Sequence, residues 1–375
     1  MFYSFPYLLL YTFNVLLFIY ERIYTNNNVL VRNRIRFLCG VSFFLFFGFR
    51  GYVGSDWFNY ELSYSLTSWS QWLLSDYELG YSAIAKTFAY FKIDYFYFVS
   101  FLTGIQVLLF DRFISRYSYI SVPLSYIIII ALFPILIIDL QRNFISILIV
   151  INAIPFLESN QKLKFYLYVT VSMLFHLSGI VFFFLPFIDR SRFSQKVVLV
   201  LFLVGLVVYF LQINFYQEAL SIIGKAVGGR LEYLINQSVR EDEVSYGITV
   251  GIIEKIALFL ALLLFYPSVM RRAPLMIKVG IIYLLVYLYF STSQSFINRF
   301  ANLFFWGYLV IYSVLFFALK KYKLRSLFVW FLLLFCFVRV YVGYDNVIYK
   351  YVNVLVEHEN KMERINNRNL HYENR

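Results

Sequence analysis

The sequence predicts an all-α polytopic membrane protein of about 10–12 transmembrane helices, a re-entrant hairpin among them. Three observations predict it. Hydrophobic residues make up 61% of the 375-residue chain and charged residues 14%, with a mean hydropathy of +0.70. A soluble domain holds about 45–50% apolar and about 25% charged residues, so this chain has too little polar surface to cover a globule and too much apolar surface for disorder. Apolar runs follow one another through short connections, and no Gly/Ser- or Pro-rich linker divides them. The basic residues behind the net charge of +12 lie mostly in those connections, where they set topology, so a nucleic-acid partner is not expected. Residues 1–342 read as a single integral membrane domain and residues 343–375 as a polar C-terminal tail.

The elements follow in order. Residues 1–20 are apolar, and the first basic residue, Arg22, comes after them. A signal peptide carries its positive charge ahead of the apolar run, so this is a retained helix with its N-terminus outside. The loop of residues 21–36, with Arg22, Arg32, Arg34 and Arg36, belongs in the cytoplasm. A helix at residues 37–49 leads to a mixed segment, 50–94, the first extracytoplasmic working loop. Within it, residues 79–91 are apolar but short for a span, and read as an interfacial or partly inserted helix. Further spans are expected at residues 95–110, 122–138, 144–157, 197–213, 247–266, 277–290, 301–319 and 327–341.

Residues 165–187 are best read as a hairpin that enters and returns. As one span they would place Arg190, Arg192, Arg271 and Arg272 outside, against the positive-inside rule. Their polar centre, His176-Leu177-Ser178-Gly179, suits the unwinding of a membrane helix. The alternative is that residues 79–91 span and supply the change of side. A second working loop, residues 214–246, carries apolar residues at helical spacing over 219–235, the pattern of an amphipathic surface helix.

Polar residues at the ends of apolar runs are the functional candidates, because charge near the bilayer centre costs about 2.5–3.5 kcal/mol. Arg50 opens a glycine-containing turn that ends in Asp56, Trp57 and Tyr60. It presents Arg and Asp to a ligand, or it is a loop held by an Arg50–Asp56 ion pair. Arg142 stands at a helix start, where an anion gains from both the guanidinium and the free backbone N–H groups; pairing with Asp139 is the other reading. His176, beside the polar break, is a proton acceptor or a satisfied core histidine. Arg299 opens a late span as a phosphate clamp or a snorkelling anchor. Cys39 and Cys336 lie far apart in apolar runs, so neither a disulfide framework nor a metal site is indicated. The acidic run Arg240-Glu241-Asp242-Glu243 reads as a solvated loop, and the Asn236 sequon as a chance match. No phosphate-binding or dinucleotide fingerprint occurs, so no nucleotide cofactor is expected. Few acidic residues fall within the spans, which argues against an ion-coupled transporter.

The assembled residues resemble the Wzy/EpsG-like polysaccharide polymerases of bacterial envelope synthesis. The carriers are Arg50, Gly54-Ser55-Asp56-Trp57-Phe58-Asn59-Tyr60, Glu78-Leu79-Gly80-Tyr81, Gln141-Arg142-Asn143, Phe175-His176-Leu177-Ser178-Gly179 and Asn298-Arg299-Phe300. Asn143 departs from the family pattern, which often begins Arg-Gln. The resemblance implies a GT-C-like multi-span glycosyltransferase in the bacterial cytoplasmic (inner) membrane, with its active site facing the periplasm or cell exterior. It implies the joining of undecaprenyl-pyrophosphate-linked oligosaccharide repeat units into O-antigen or another surface polysaccharide. The lipid pyrophosphate is the leaving group, so neither metal nor ATP is expected. Arg142, Arg299 and Arg50 are then the pyrophosphate ligands, Asp56 and His176 the alternatives for the base, and Trp57, Tyr60, Tyr81 and Glu78 the sugar-binding set. A chain-length regulator is the protein partner expected beside the lipid-linked substrate and membrane lipid. A lipid-linked oligosaccharide flippase and an O-antigen ligase are the competing functions.

Overall fold

Proline and polar residues decide where the apolar runs of this chain break. The computed structural model describes residues 2–24, 28–66, 77–117, 121–214, 222, 248–293, 297, 299–319 and 324–373. Among the described residues every regular element is helical, apart from one isolated antiparallel bridge between Arg50 and Asn353. The protein is an all-α polytopic membrane protein. It divides into two units, residues 1–185 with 326–375, and residues 186–325.

In the first unit, α1 (Phe5–Tyr24) buries Tyr7, Leu10, Tyr11, Asn14, Leu17 and Phe18, the three-and-four spacing of one helical face. Helix α2 (Val29–Phe43) is capped by the Asn28 side chain, which accepts from the Leu30 and Val31 N–H groups. The helix therefore begins inside the segment read as a basic loop, and Arg36 on it pairs with Asp111 at 2.6 Å. A π-helical turn, Phe44–Gly48, widens its end and delivers Arg50. Three helices follow: α3 (Trp57–Ser65), α4 (Leu79–Tyr90) and the long α5 (Tyr95–Arg116).

The expected span at 122–138 is two helices, α6 (Val122–Leu132) and α7 (Pro134–Ile138), because Pro134 has no N–H to continue the ladder. Residues Val122 to Ala131 are buried on every side, so α6 is a core helix. The next run divides likewise into α8 (Gln141–Ile151) and α9 (Ile154–Glu158), with Pro155 in the first turn of α9. Helix α10 (Lys162–Met173) unwinds at Leu174–His176, and a 3-10 segment, Leu177–Phe184, packs against α10 and α8. The break thus falls at the polar stretch that the sequence singled out.

The second unit holds most of α11 (Leu185–Arg190), then α12 (Gln195–Leu211), α13 (Val250–Leu264), α14 (Tyr266–Arg272), α15 (Pro274–Tyr289) and α16 (Phe305–Ala318). Helices α15 and α16 touch through glycines: a Cβ on Gly307 would lie 2.4 Å from the Gly280 nitrogen. Glu254 on α13 is buried and accepts from the hydroxyls of Tyr308, at 2.6 Å, and Tyr312 on α16.

Among the described residues three helical runs are long and apolar enough to cross a membrane: Tyr95–Arg116, Ala301–Ala318 and Arg325–Gly343. A fourth is added if α13 and α14, bent by 86°, count as one span. Helix α1 has the length, with 20 residues, but is not among them, and the remaining expected spans are shorter apolar helices or are divided at the prolines and polar breaks just described. The second working loop falls outside the described residues except for Asn214 and Ile222. Helix α17 (Arg325–Gly343) ends the apolar part of the chain; from Ser326 onward it belongs to the first unit, as does α18 (Lys361–Glu373).

Candidate active site

The start of α8 gathers residues from four other parts of the first unit. The first is the turn after α2. Arg50 is 3% exposed, and its guanidinium donates to the carbonyls of Phe47 and, at 3.4 Å, Ile138, and to Thr103 Oγ1 at 3.5 Å. It thus ties the turn to α5 and to the end of α7. Gly54 has φ +90°, and a Cβ there would stand 2.3 Å from Asp139 Oδ1. Only glycine gives both this backbone and this approach. Asp139 Oδ1 then accepts the N–H groups of Ser55, at 2.7 Å, and Asp56, at 3.0 Å. Asp56 ends the turn and starts α3.

Asp139 lies in the connection between α7 and α8 and is 6% exposed. Burial, and next the neighbouring Asp56 carboxylate, push its carboxyl up to about 6. The two N–H donors and Arg50 oppose that rise. The two carboxyl groups are thus near enough to repel one another, while Asp139 holds the Asp56 backbone N–H.

One turn further, Arg142 pairs with Glu78 at the start of α4 and not with Asp139. Three tyrosine rings surround the guanidinium: Cζ lies 4.2 Å from the ring centre of Tyr77, 5.5 Å from Tyr81 and 5.6 Å from Tyr60. These faces favour a cation. Arg142 Nε is buried with no hydrogen-bond partner. Tyr60, Tyr81 and Trp57 belong to one buried cluster with Tyr52, Tyr64, Tyr95 and Phe98. The rings expected to meet sugar faces are thus packed edge and face against one another, with Trp57 4.2 Å from Tyr52 between ring centres.

The other Glu78 oxygen accepts from Leu177 N at 3.0 Å, which joins the Arg142 pair to the α10 break. His176 Nδ1 stands 2.7 Å from Ser178 Oγ, and that hydroxyl lies 3.1 Å from Asn143 Oδ1. Asn143 is buried, so the position that departs from the family pattern has a partner. Gly80 and Gly179 are close-approach points. A Cβ would lie 2.8 Å from the Leu174 carbonyl oxygen in one case and 2.4 Å from Ser172 Oγ in the other.

The structure therefore brings Asp56, Trp57, Tyr60, Glu78, Tyr81, Arg142 and His176 to one region, with Arg50 beneath it as a buried tie. Arg299 belongs to the second unit, where it is exposed. Asp139, Tyr77 and Ser178 join the region without having been singled out as site residues. Asp139 was legible only as a sequence neighbour of Arg142; for Tyr77 no signal separated it from the other aromatics. Among the described residues no group of three His, Cys, Asp or Glu is placed to hold a metal ion. Chemically, the region offers a carboxylate pair to take up a proton and a caged guanidinium to receive an anion.

A sequence model of the EpsG family matches residues 33–353 of the chain. No curated protein and no solved structure gives a significant match.

Proposed function

The chain belongs to the EpsG family, a polysaccharide-polymerase type of protein, and from that premise we propose that it joins lipid-linked oligosaccharide repeat units at the outer face of the cytoplasmic membrane. In this reaction an acceptor-sugar hydroxyl attacks the anomeric carbon of the growing chain. The bond from that carbon to undecaprenyl pyrophosphate breaks, and the hydroxyl proton passes to a base. The observation that carries the reading is the convergence of the Asp56 turn, Glu78, Arg142 and the His176 break on the start of α8.

Asp56 is assigned as the base, since its backbone is fixed by Asp139 and its carboxyl stands beside a second one. His176 is the alternative base, oriented by Ser178. Negative charge grows on the departing pyrophosphate, and a preorganised cation there lowers the barrier. Arg142 takes that part. Glu78 holds its fork before substrate arrives. Tyr60, Tyr77 and Tyr81 keep the guanidinium aimed, and Trp57 packs the turn that carries Asp56. Arg50 is assigned to the turn itself, because its donors are already used on carbonyls.

Purified protein in vesicles, given lipid-linked repeat units, should produce a ladder of polymer lengths. Asp56→Asn should abolish the ladder, and Asp56→Asn with an unchanged rate and length distribution would refute the assignment. In cells, loss of a polymerase leaves single repeat units on the final acceptor, whereas loss of a flippase or a ligase leaves none.

A further inference from the structure

The C-terminal residues read in sequence as a polar tail are built into the wall of the candidate site. Val354 N–H donates to the Phe49 carbonyl, Gly51 N–H to Val352 and Gly54 N–H to Ile348, each at 2.9 Å. The chain from 348 to 354 thus runs along the turn that ends in Asp56. Beyond it, Glu359 Oε2 accepts from Tyr52 N at 3.0 Å and presses on Gly51, where a Cβ would lie 1.6 Å from that oxygen. Arg364 on α18 holds the other Glu359 oxygen at 2.7 Å and donates to the Lys350 carbonyl at 2.6 Å. The side chains of this ion pair are 4% and 3% exposed. On the exposed side Lys361 pairs with Glu61 of α3 at 2.7 Å, and Arg368 lies over the Phe58 ring at 5.0 Å.

A merely adhesive tail needs apolar contact. Burying a carboxylate and a guanidinium costs desolvation of both, and is offset only in one register, where every oxygen finds its donor. Here that register also fixes a backbone N–H of the turn. The turn is consequently held from two sides: Asp139 grips Ser55 and Asp56, and Glu359 grips Tyr52.

We propose that the returning C-terminal segment is a positioning element of the active site, and that Glu359 is the positioning residue through which it sets the place of Asp56; this rests on the polymerase reading above. Glu359 touches no reacting atom in this role. Its removal changes turnover rather than substrate binding, which belongs to Arg142.

The test is initial polymerisation rate, measured with full-length protein in vesicles over a range of lipid-linked repeat unit. Glu359→Ala should lower kcat about tenfold or more while KM stays within about threefold. Glu359→Gln, which keeps an acceptor for the Tyr52 N–H, should recover most of that loss. Gly51→Ala should impair the wild type but add nothing to Glu359→Ala, since both act through one contact. The proposal is overturned if kcat of Glu359→Ala stays within about twofold of wild type, if Gln is as damaging as Ala, or if the Gly51→Ala loss is independent of Glu359. Should Glu359→Ala fail to accumulate, the Gln variant and Gly51→Ala carry the decision. Asp56→Asn, run alongside, separates the two readings. An active Asp56→Asn removes the base assignment, whereas an inactive one beside a normal Glu359→Ala removes the positioning role alone.

Discussion

Asp139 offers the sharpest separation of geometry from charge at this site. Its Oδ1 holds two backbone N–H groups at 2.7 and 3.0 Å, while burial and the Asp56 carboxylate raise its carboxyl from 3.8 to about 6. A folded-state value above the unfolded one means that the folded protein binds the proton more tightly. The stabilising contribution is therefore complete below pH 3.8 and is lost as the pH climbs to about 6. Above that the ionised side chain carries its full penalty, on the order of 3 kcal/mol at about 1.36 kcal/mol per pH unit. Asp139→Asn keeps an oxygen acceptor for Ser55 and Asp56 and removes the charge. Its stability relative to wild type should rise between pH 5 and pH 8 by roughly half of that penalty.

Asp139→Ala removes the acceptor itself. A hydrogen bond to a charged group contributes about 1.5–3 kcal/mol, so losing one in the transition state slows transfer roughly ten- to hundredfold. The assays are thermal unfolding of the purified protein at pH 5 and pH 8, and the polymer ladder from lipid-linked repeat units. The expected pair of results is an active Asn variant that gains stability relative to wild type from pH 5 to pH 8, and a slow Ala variant. An Asn variant whose stability relative to wild type does not rise from pH 5 to pH 8, or one as slow as Ala, would refute the reasoning.

Arg142→Lys keeps the charge but loses the planar fork and the Nε donor; initial polymerisation rates should fall roughly ten- to hundredfold. Gly54→Ala forces a side chain onto φ +90° and into Asp139 Oδ1, so the ladder should vanish while the protein still accumulates in the membrane, as a quantitative immunoblot would record. Arg299→Lys tests the exposed arginine of the second unit by complementation, where restored full-length polymer would remove it from phosphate binding and shortened or absent polymer is expected.

Local conflicts were legible in the sequence, and long-range partners were not. Gly54 stood out in a turn and Gly179 in a polar break, and each is a point where a side chain would collide with another segment. His176 stood out as a polar residue in an apolar run, and the helix unwinds beside it. By contrast, closeness in sequence offers Asp139 as the partner of Arg142. Helix α8 begins between them, so Asp139 faces the α2–α3 turn while Arg142 reaches Glu78, 64 residues away. The tyrosines were indistinguishable from an interfacial belt, because an amphipathic ring suits a membrane surface and an arginine cage equally well. The tail was the least readable, since its polar composition matches a solvated end and nothing in it announces a buried Glu359–Arg364 pair. A polar residue in grease must find a partner and so marks its own position, but a polar residue in a polar segment carries no such demand. That asymmetry explains why the inner face of the Asp56 turn was visible in one dimension and its outer face only in three.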